Sequence, residues 1–249
     1  LRTGIVAGVK RRQAILATVA SLTAGVLTRA VRSPAADAQT PQKLAPPNNG
    51  VVQVAVVVGK DATVIDFAGP WEVFQDSMSQ SATMGFELFM VSDRRDTVRA
   101  TAGMQIVPRY TYGDSKMPTP NVIVIGAQSE HTPAKIAWIR AASARADVTM
   151  SVCTGAFLLA QTGLLDGLRA TTHHNYYDEF AGRFPNVTLV RGPRYVENDG
   201  GRLCTAGGLA SGFELALRVV ERYFGEAEAE RTAYQMEYTR SSTRPPKPA

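Results

Sequence analysis

Cys153 follows the apolar run Val148-Thr-Met-Ser-Val152 without a break, and Thr154-Gly155-Ala156 lead into a second apolar stretch. A short buried strand that turns at once into a helix pushes the residue at the turn out of the packed core. Free backbone N–H groups and the helix dipole at that point favour a thiolate over a thiol. Cys153 is therefore a candidate nucleophile, by the same elbow logic that serves serine nucleophiles. Its structural alternative is an inert, buried cysteine. Asp66, Gly126 and His173 also stand just after apolar runs. Ligands of open parallel sheets bind outside the carboxyl ends of the strands. Four chemically able positions at strand ends thus point to one edge of one sheet.

The elements that must position them alternate. Val51–Val58 is a nearly unbroken β-branched run, as expected for a central strand covered on both faces. Val64 to Pro70 leads into a helix carrying Trp71, Val73, Phe74 and Met78, with Pro70 suited to its first turn. Trp71 and Phe74 read as core. Further strands are expected over Phe86–Ser92, Asn121–Ile125 and Val148–Val152, with short β segments between Thr97 and Tyr112. Thr132–Arg145 has helical periodicity with Pro133 near its start. A helix to about Thr162 follows the elbow, then a strand Arg169–Thr172, a helix Asn175–Phe184, three short strands and two closing helices, Leu209–Phe224 and Glu226–Tyr238. Such alternation predicts an α/β sandwich with a mostly parallel sheet and helices on both faces.

Charge narrows the partners. The 249 residues hold 27 Lys/Arg against 22 Asp/Glu, but six of the bases and one of the acids fall in the first 38 residues. The remainder carries 21 of each, so it lacks the basic excess that phosphate binding needs. The leader itself has the form of an export signal: Lys10-Arg11-Arg12, a mildly apolar Ala14–Leu27, and Ala36-Asp37-Ala38 as a cleavage site. Residues 1–38 are read as a twin-arginine type signal, 39–50 as a linker, 51–239 as the folded domain and 240–249 as a disordered tail. The expected location is the periplasm or outside the cell. Cys153 and Cys204 are too few for a disulfide framework and are read as free thiols, with Cys204 in a buried strand. No Cys/His spacing suggests a metal site.

Several blocks together carry a resemblance. Ser151-Val-Cys-Thr-Gly-Ala156, Thr162-Gly-Leu-Leu-Asp-Gly-Leu-Arg-Ala-Thr-Thr-His173, the stretch Asp199–Gly208 and Gly212-Phe-Glu-Leu-Ala-Leu217 resemble the ThiJ/PfpI superfamily, which has the class I glutamine-amidotransferase-like, flavodoxin-like fold. Ile65-Asp66-Phe67-Ala68-Gly69-Pro70 is similar to the isonitrile hydratase branch and to the ligand-binding domains of AraC-type regulators. The resemblance implies Cys153 as nucleophile and Asp66 as the acid facing it, either protonated or a general acid/base with a raised pKa. It implies Thr154 as the residue whose N–H meets developing charge, with Gly126 offering a second N–H, and His173 as a supporting residue behind the cysteine. The structural alternatives are an N-cap for Asp66 and for Thr154, and an exposed loop for His131. Many family members have Pro-Gly-Gly where this chain has Gly126-Ala127-Gln128, which leaves the substrate open and brings Gln128 toward the pocket.

The activity implied is addition of water to an isocyanide, giving an N-substituted formamide. The alternatives are glyoxalase- or hydrolase-like chemistry on reactive carbonyls, and a non-catalytic ligand- or redox-sensing domain. No cofactor is expected. The expected partners are a small-molecule substrate and a second copy of the chain, with neither nucleic acid nor, after cleavage, a membrane.

Overall fold

The computed structural model describes residues 42–78 and 81–240. The expected export signal, the first residues of the expected linker and the tail from residue 241 lie outside them. Residues 42–50 run as irregular backbone along the domain. Gln42 N–H donates to Gly200 O, Leu44 N–H donates to Arg222 O, and Leu44 packs against the core.

In chain order the elements are β1 (Val51–Val57), α1 (Val64–Asp76), β2 (Gly85–Ser92), β3 (Val98–Arg99), β4 (Gln105–Ile106), β5 (Tyr110–Thr111), β6 (Val122–Ile125), α2 (Pro133–Ser143), β7 (Val148–Val152), α3 (Gly155–Gln161), β8 (Arg169–Ala170), α4 (Tyr177–Arg183), β9 (Thr188–Leu189), β10 (Tyr195–Asn198), β11 (Leu203–Ala206), α5 (Ser211–Phe224) and α6 (Glu226–Gln235). Among the described residues, seven strands form one sheet in the order β10-β11-β7-β6-β1-β2-β5. Every pairing in it is parallel except β10 with β11.

Alternation along the strands divides the core between the two faces. Val54 and Val56 of β1, Val122 and Val124 of β6, and Val148, Met150 and Val152 of β7 meet α1, α5 and α6. Ala55, Val57, Ile123 and Ile125 meet α2, α3 and α4 on the other face. A parallel strand covered on both sides must be apolar at every position, which explains the unbroken runs in β1 and β6. The result is the flavodoxin-like α/β sandwich. None of the helices among the described residues is long and apolar enough to cross a membrane.

Register gathers the strand ends. Val57 pairs with Ile125, Ile125 with Ser151, and Val152 with Ala206. Four adjacent strands therefore finish at one level, and the segments that leave them lie side by side. The sheet order also reverses at β1, between β2 on one side and β6 on the other, which is where such sheets form a crevice.

Two expectations are corrected here. Asp66 does not precede α1 but lies in its first turn, because the helix starts at Val64. Pro70 consequently sits inside the helix, where it lacks the N–H that would bond the Asp66 carbonyl. The segment before His173 is not a strand of the main sheet either: β8 stops at Ala170 and pairs with β9 in a separate two-stranded sheet. Asp66, Gly126 and Cys153 therefore share the edge of the central sheet, and His173 reaches it from another ladder.

Gly155 is held in place by space. A Cβ there would stand 2.1 Å from Ile125 O, inside the junction of β6 with the elbow. Gly155→Ala is expected to destabilise the fold by about 1–3 kcal/mol or more through overpacking. An unchanged denaturation midpoint would show that the junction yields.

Candidate active site

The elbow is built as strand, single left-handed residue, helix. Cys153 has φ +60°, a region that costs a non-glycine residue about 1–3 kcal/mol unless its surroundings enforce it. Here they do. Cys153 N–H donates to Gly207 O at 2.9 Å, and Thr172 Oγ1 donates to Cys153 O at 2.9 Å. Both backbone groups of Cys153 are thus pinned by neighbouring segments. The backbone N–H groups of Thr154 and Leu209 act on the sulfur and lower its pKa. Leu209 itself has φ +51°, so its amide reaches the sulfur through a second left-handed turn.

Asp66 is completely buried. Its Oδ2 accepts from Ala127 N–H at 3.1 Å, and its Oδ1 has no partner of good hydrogen-bond geometry. The remaining polar group that its carboxyl interacts with is the Cys153 thiol. Burial raises the Asp66 pKa from 3.8 to about 6, against the lowering effects of the Ala127 and Cys153 hydrogen bonds. Cys153, 6% exposed, is pushed up to about 12, first by burial and then by the facing Asp66 carboxylate; the two amides act in the opposite sense. The resting thiolate expected from the elbow pattern is therefore corrected. Two N–H groups do point at the sulfur, but loss of water and a facing carboxylate outweigh them. Burial thus favours the protonated form of both groups.

The other expected residues fall as follows. Thr154 is the N-cap of α3 without a side-chain capping bond, and its N–H serves the sulfur. Gly126 lies against Asp66: a Cβ on it would sit 3.0 Å from Asp66 Cβ. The amide that meets the carboxylate belongs to the next residue, Ala127. Asp66 is not an N-cap; that position is Thr63. The ring of His173 accepts from Asn175 N–H at 3.2 Å through Nδ1 and stacks on His174 at 4.4 Å. Among the described residues it has neither an acidic partner nor a hydrogen bond to Cys153. Partial burial and the neighbouring His174 lower its pKa, so it is a neutral ring at neutral pH. It lies behind Gly208, where a Cβ would meet the ring at 2.2 Å, and so supports the loop that presents Leu209.

His131 is not an exposed loop residue. Its Nδ1 meets Gln161 Oε1 at 3.1 Å and its Nε2 meets Gln128 O at 3.2 Å, and burial lowers its pKa. With Gln128, Thr154, Phe157, Gln161 and Arg183 it lines a groove of about 420 Å³ beside the elbow. A larger cavity, of about 720 Å³ and bordered by Glu197, Arg218 and Tyr238, shares no residue with this site. Cys204 is a free, fully buried thiol on β11, donating to Gly201 O. Among the described residues, no group of three or more His, Cys, Asp or Glu side chains could hold a metal ion.

Ala127, Thr172, Gly207 and Leu209 shape the candidate site without a sequence signal of their own, since three of them act through the backbone. The pair Gly207-Gly208 after β11 was the available hint of a close backbone approach.

Keeping the Asp66 carboxyl near 6 rather than 3.8 costs the folded state on the order of 3 kcal/mol once the group is ionised. The folded state binds this proton more tightly than the unfolded chain, so stability falls as pH rises from about 4 to about 6. Asp66→Asn is expected to be more stable than the parent above pH 6, with the difference vanishing below about pH 4. Thermal melts across that range check it; a variant less stable at pH 8 would contradict the assignment.

The DJ-1/PfpI family pattern matches residues 52–222. Isonitrile hydratase of Pseudomonas putida is 29% identical over 195 residues, covering 75% of this chain and 78% of that protein. The transcriptional regulator CdhR of Pseudomonas aeruginosa is 35% identical over 94 residues, covering 38% of this chain and 27% of the regulator. In structure, a ThiJ/PfpI family protein from Pseudomonas syringae superposes with a TM-score of 0.66 at 27% identity, over 78% of each chain. Fold, elbow and sequence pattern agree: the chain belongs to the DJ-1/PfpI family.

Proposed function

We propose that this protein is a cysteine-dependent enzyme that adds water to an isocyanide to give an N-substituted formamide. One observation carries the reading. The Cys153 thiol, buried at the elbow, faces the fully buried Asp66 carboxyl, whose Oδ2 is held by the Ala127 N–H at 3.1 Å and whose pKa burial raises to about 6. The similarity to isonitrile hydratase supports it.

The terminal carbon of R–N≡C accepts a nucleophile and a proton at the same atom. Asp66, ionised at neutral pH, takes the Cys153 proton as the sulfur bonds to that carbon, and then delivers the proton to the carbon. The product of this step is the thioimidate R–N=CH–S–Cys153. The high resting pKa of Cys153 is consistent with this order, since proton and sulfur are transferred together and no free thiolate accumulates. Asp66 next takes a proton from water as its oxygen attacks the carbon, and passes that proton to nitrogen, giving R–NH–CH(OH)–S–Cys153. Cleavage of the C–S bond, with the hydroxyl proton returned to sulfur through Asp66, releases R–NH–CHO. The Thr154 and Leu209 amides stabilise the sulfur whenever it carries negative charge.

The similarity to part of a transcriptional regulator supports a second reading, in which the pocket binds a ligand without turning it over. Incubation of the protein with a series of alkyl isocyanides, followed by mass spectrometry of the products, separates the two. Formamide is expected from the parent chain. Cys153→Ala is expected to abolish it, and Asp66→Asn to lower kcat by about 10²–10⁴. Absence of formamide with every isocyanide rules out the hydratase reading, and conversion of methylglyoxal to lactate in its place selects the carbonyl chemistry.

A further inference from the structure

Asp66 and its one well-formed hydrogen bond come from different segments. Asp66 leaves β1 through the loop 58–63, and Ala127 leaves β6. What holds the two segments in register lies underneath them. The Gln128 side chain is buried, and its Nε2 donates to Gly126 O at 3.2 Å, just past the end of β6, and to Val57 O at 3.4 Å, the last carbonyl of β1. Its Oε1 accepts from Lys135 Nζ at 2.6 Å. Lys135 is itself completely buried, and its Nζ also donates to Glu130 O at 2.5 Å. The contact is close enough to dictate the residue above it: a Cβ on Gly59 would meet Lys135 Nζ at 2.4 Å and Gln128 Oε1 at 2.5 Å. The same two segments are tied again by Thr63 N–H to Ala127 O at 2.9 Å and Ser129 N–H to Lys60 O at 2.9 Å.

A fully buried ammonium is costly, and the groups it touches directly are a side-chain amide and a backbone carbonyl, both neutral. Charged side chains that act on it from further away are Asp93, Glu130 and Arg94. Core packing alone would be served better by an apolar residue at this position. Gln128 lies in the loop that leaves β6, two residues beyond Gly126, and no proline stiffens that loop between Ile125 and Thr132.

We infer that Gln128 and Lys135 form a buried strut that positions the Ala127 amide on Asp66, and that they are positioning residues for the acid/base carboxyl. The inference rests on the role of Asp66 proposed above, but it can be read without turnover. Thiolate with neutral Asp66 and thiol with ionised Asp66 hold the same number of protons. The reactive thiolate fraction of Cys153 therefore rises with pH up to the Asp66 pKa and then levels off. Alkylation of Cys153 by iodoacetamide, followed by mass spectrometry with the buried Cys204 as internal control, should show this step at about pH 6. Asp66→Asn should lack it.

With the strut removed, Asp66 loses a hydrogen bond to its charged form, so the step should move upward by about one pH unit. Lys135→Met removes both strut and charge, whereas Gln128→Met removes the strut and leaves the charge. An upward move in both supports the inference. A step that stays at its parent position in both folded variants overturns it. A move in Lys135→Met alone also overturns it, assigning the effect to the lysine's charge. Should Gln128→Met not fold, Gln128→Asn keeps an amide for Lys135 but falls short of Val57 and Gly126, and gives the same readout. A parent chain with no step near pH 6 overturns the strut together with the pairing it serves. Failure to produce formamide, by contrast, removes the hydratase reading and leaves the alkylation result standing.

Discussion

Burying a carboxyl against a thiol, with one proton between them, is the constraint from which the rest of the site follows. Water would have relaxed both groups to their ordinary pKa values. Its exclusion raises both, and the carboxyl rises to where it can give and take a proton at neutral pH. This requires a dry edge on an open sheet, which is a demanding condition. It is met because β1, β6, β7 and β11 finish at one level, and because the segments leaving β1 and β6, and those leaving β7 and β11, are bonded to each other. The Cys153 amide on Gly207, the Thr172 hydroxyl on the Cys153 carbonyl and the Ala127 amide on Asp66 are three instances of one device. Each uses a hydrogen bond from one segment to another to fix Cys153 or Asp66 in place.

The same constraint accounts for the glycines and the left-handed residues. Close approach of segments leaves no room for a Cβ at Gly155. Left-handed turns at Cys153 and Leu209 aim side chain and amide into the crevice rather than along the sheet. The cost of these two left-handed residues is carried by the two apolar layers beneath, which supply the stability that tolerates it.

The fold class was legible because parallel strands covered on both sides must be apolar throughout, and β1, β6 and β7 are. Cys153 was legible because a strand-to-helix turn exposes its corner residue. Asp66 was found through its motif, yet its helix was begun six residues late, since Pro70 was read as a first-turn proline when it lies inside α1. His173 was placed on the wrong ladder because Arg169–Thr172 has strand composition, while only two of its residues pair, and with β9. The protonation of Cys153 was read with the wrong sign. Sequence showed the amides of the elbow but not the amount of water lost around the sulfur. Ala127 and Leu209 act through N–H groups that every residue except proline possesses, so no residue type could have marked them.

The left-handed elbow has a consequence for the chain during its synthesis. Asp66, Ala127, Cys153 and Leu209 are far apart in sequence, and they meet only after β1, β6, β7 and β11 have paired. Until then Cys153 is an ordinary solvated thiol with a pKa near 9, whereas in the finished domain it lies near 12. Closure of the sheet thus shifts the sulfur toward the thiol, through loss of water and through the facing carboxyl. Completion of the fold therefore acts as a protecting group for the sulfur. The newly made chain is the form whose Cys153 is most open to stray oxidants and electrophiles, and in the finished domain the same sulfur is buried.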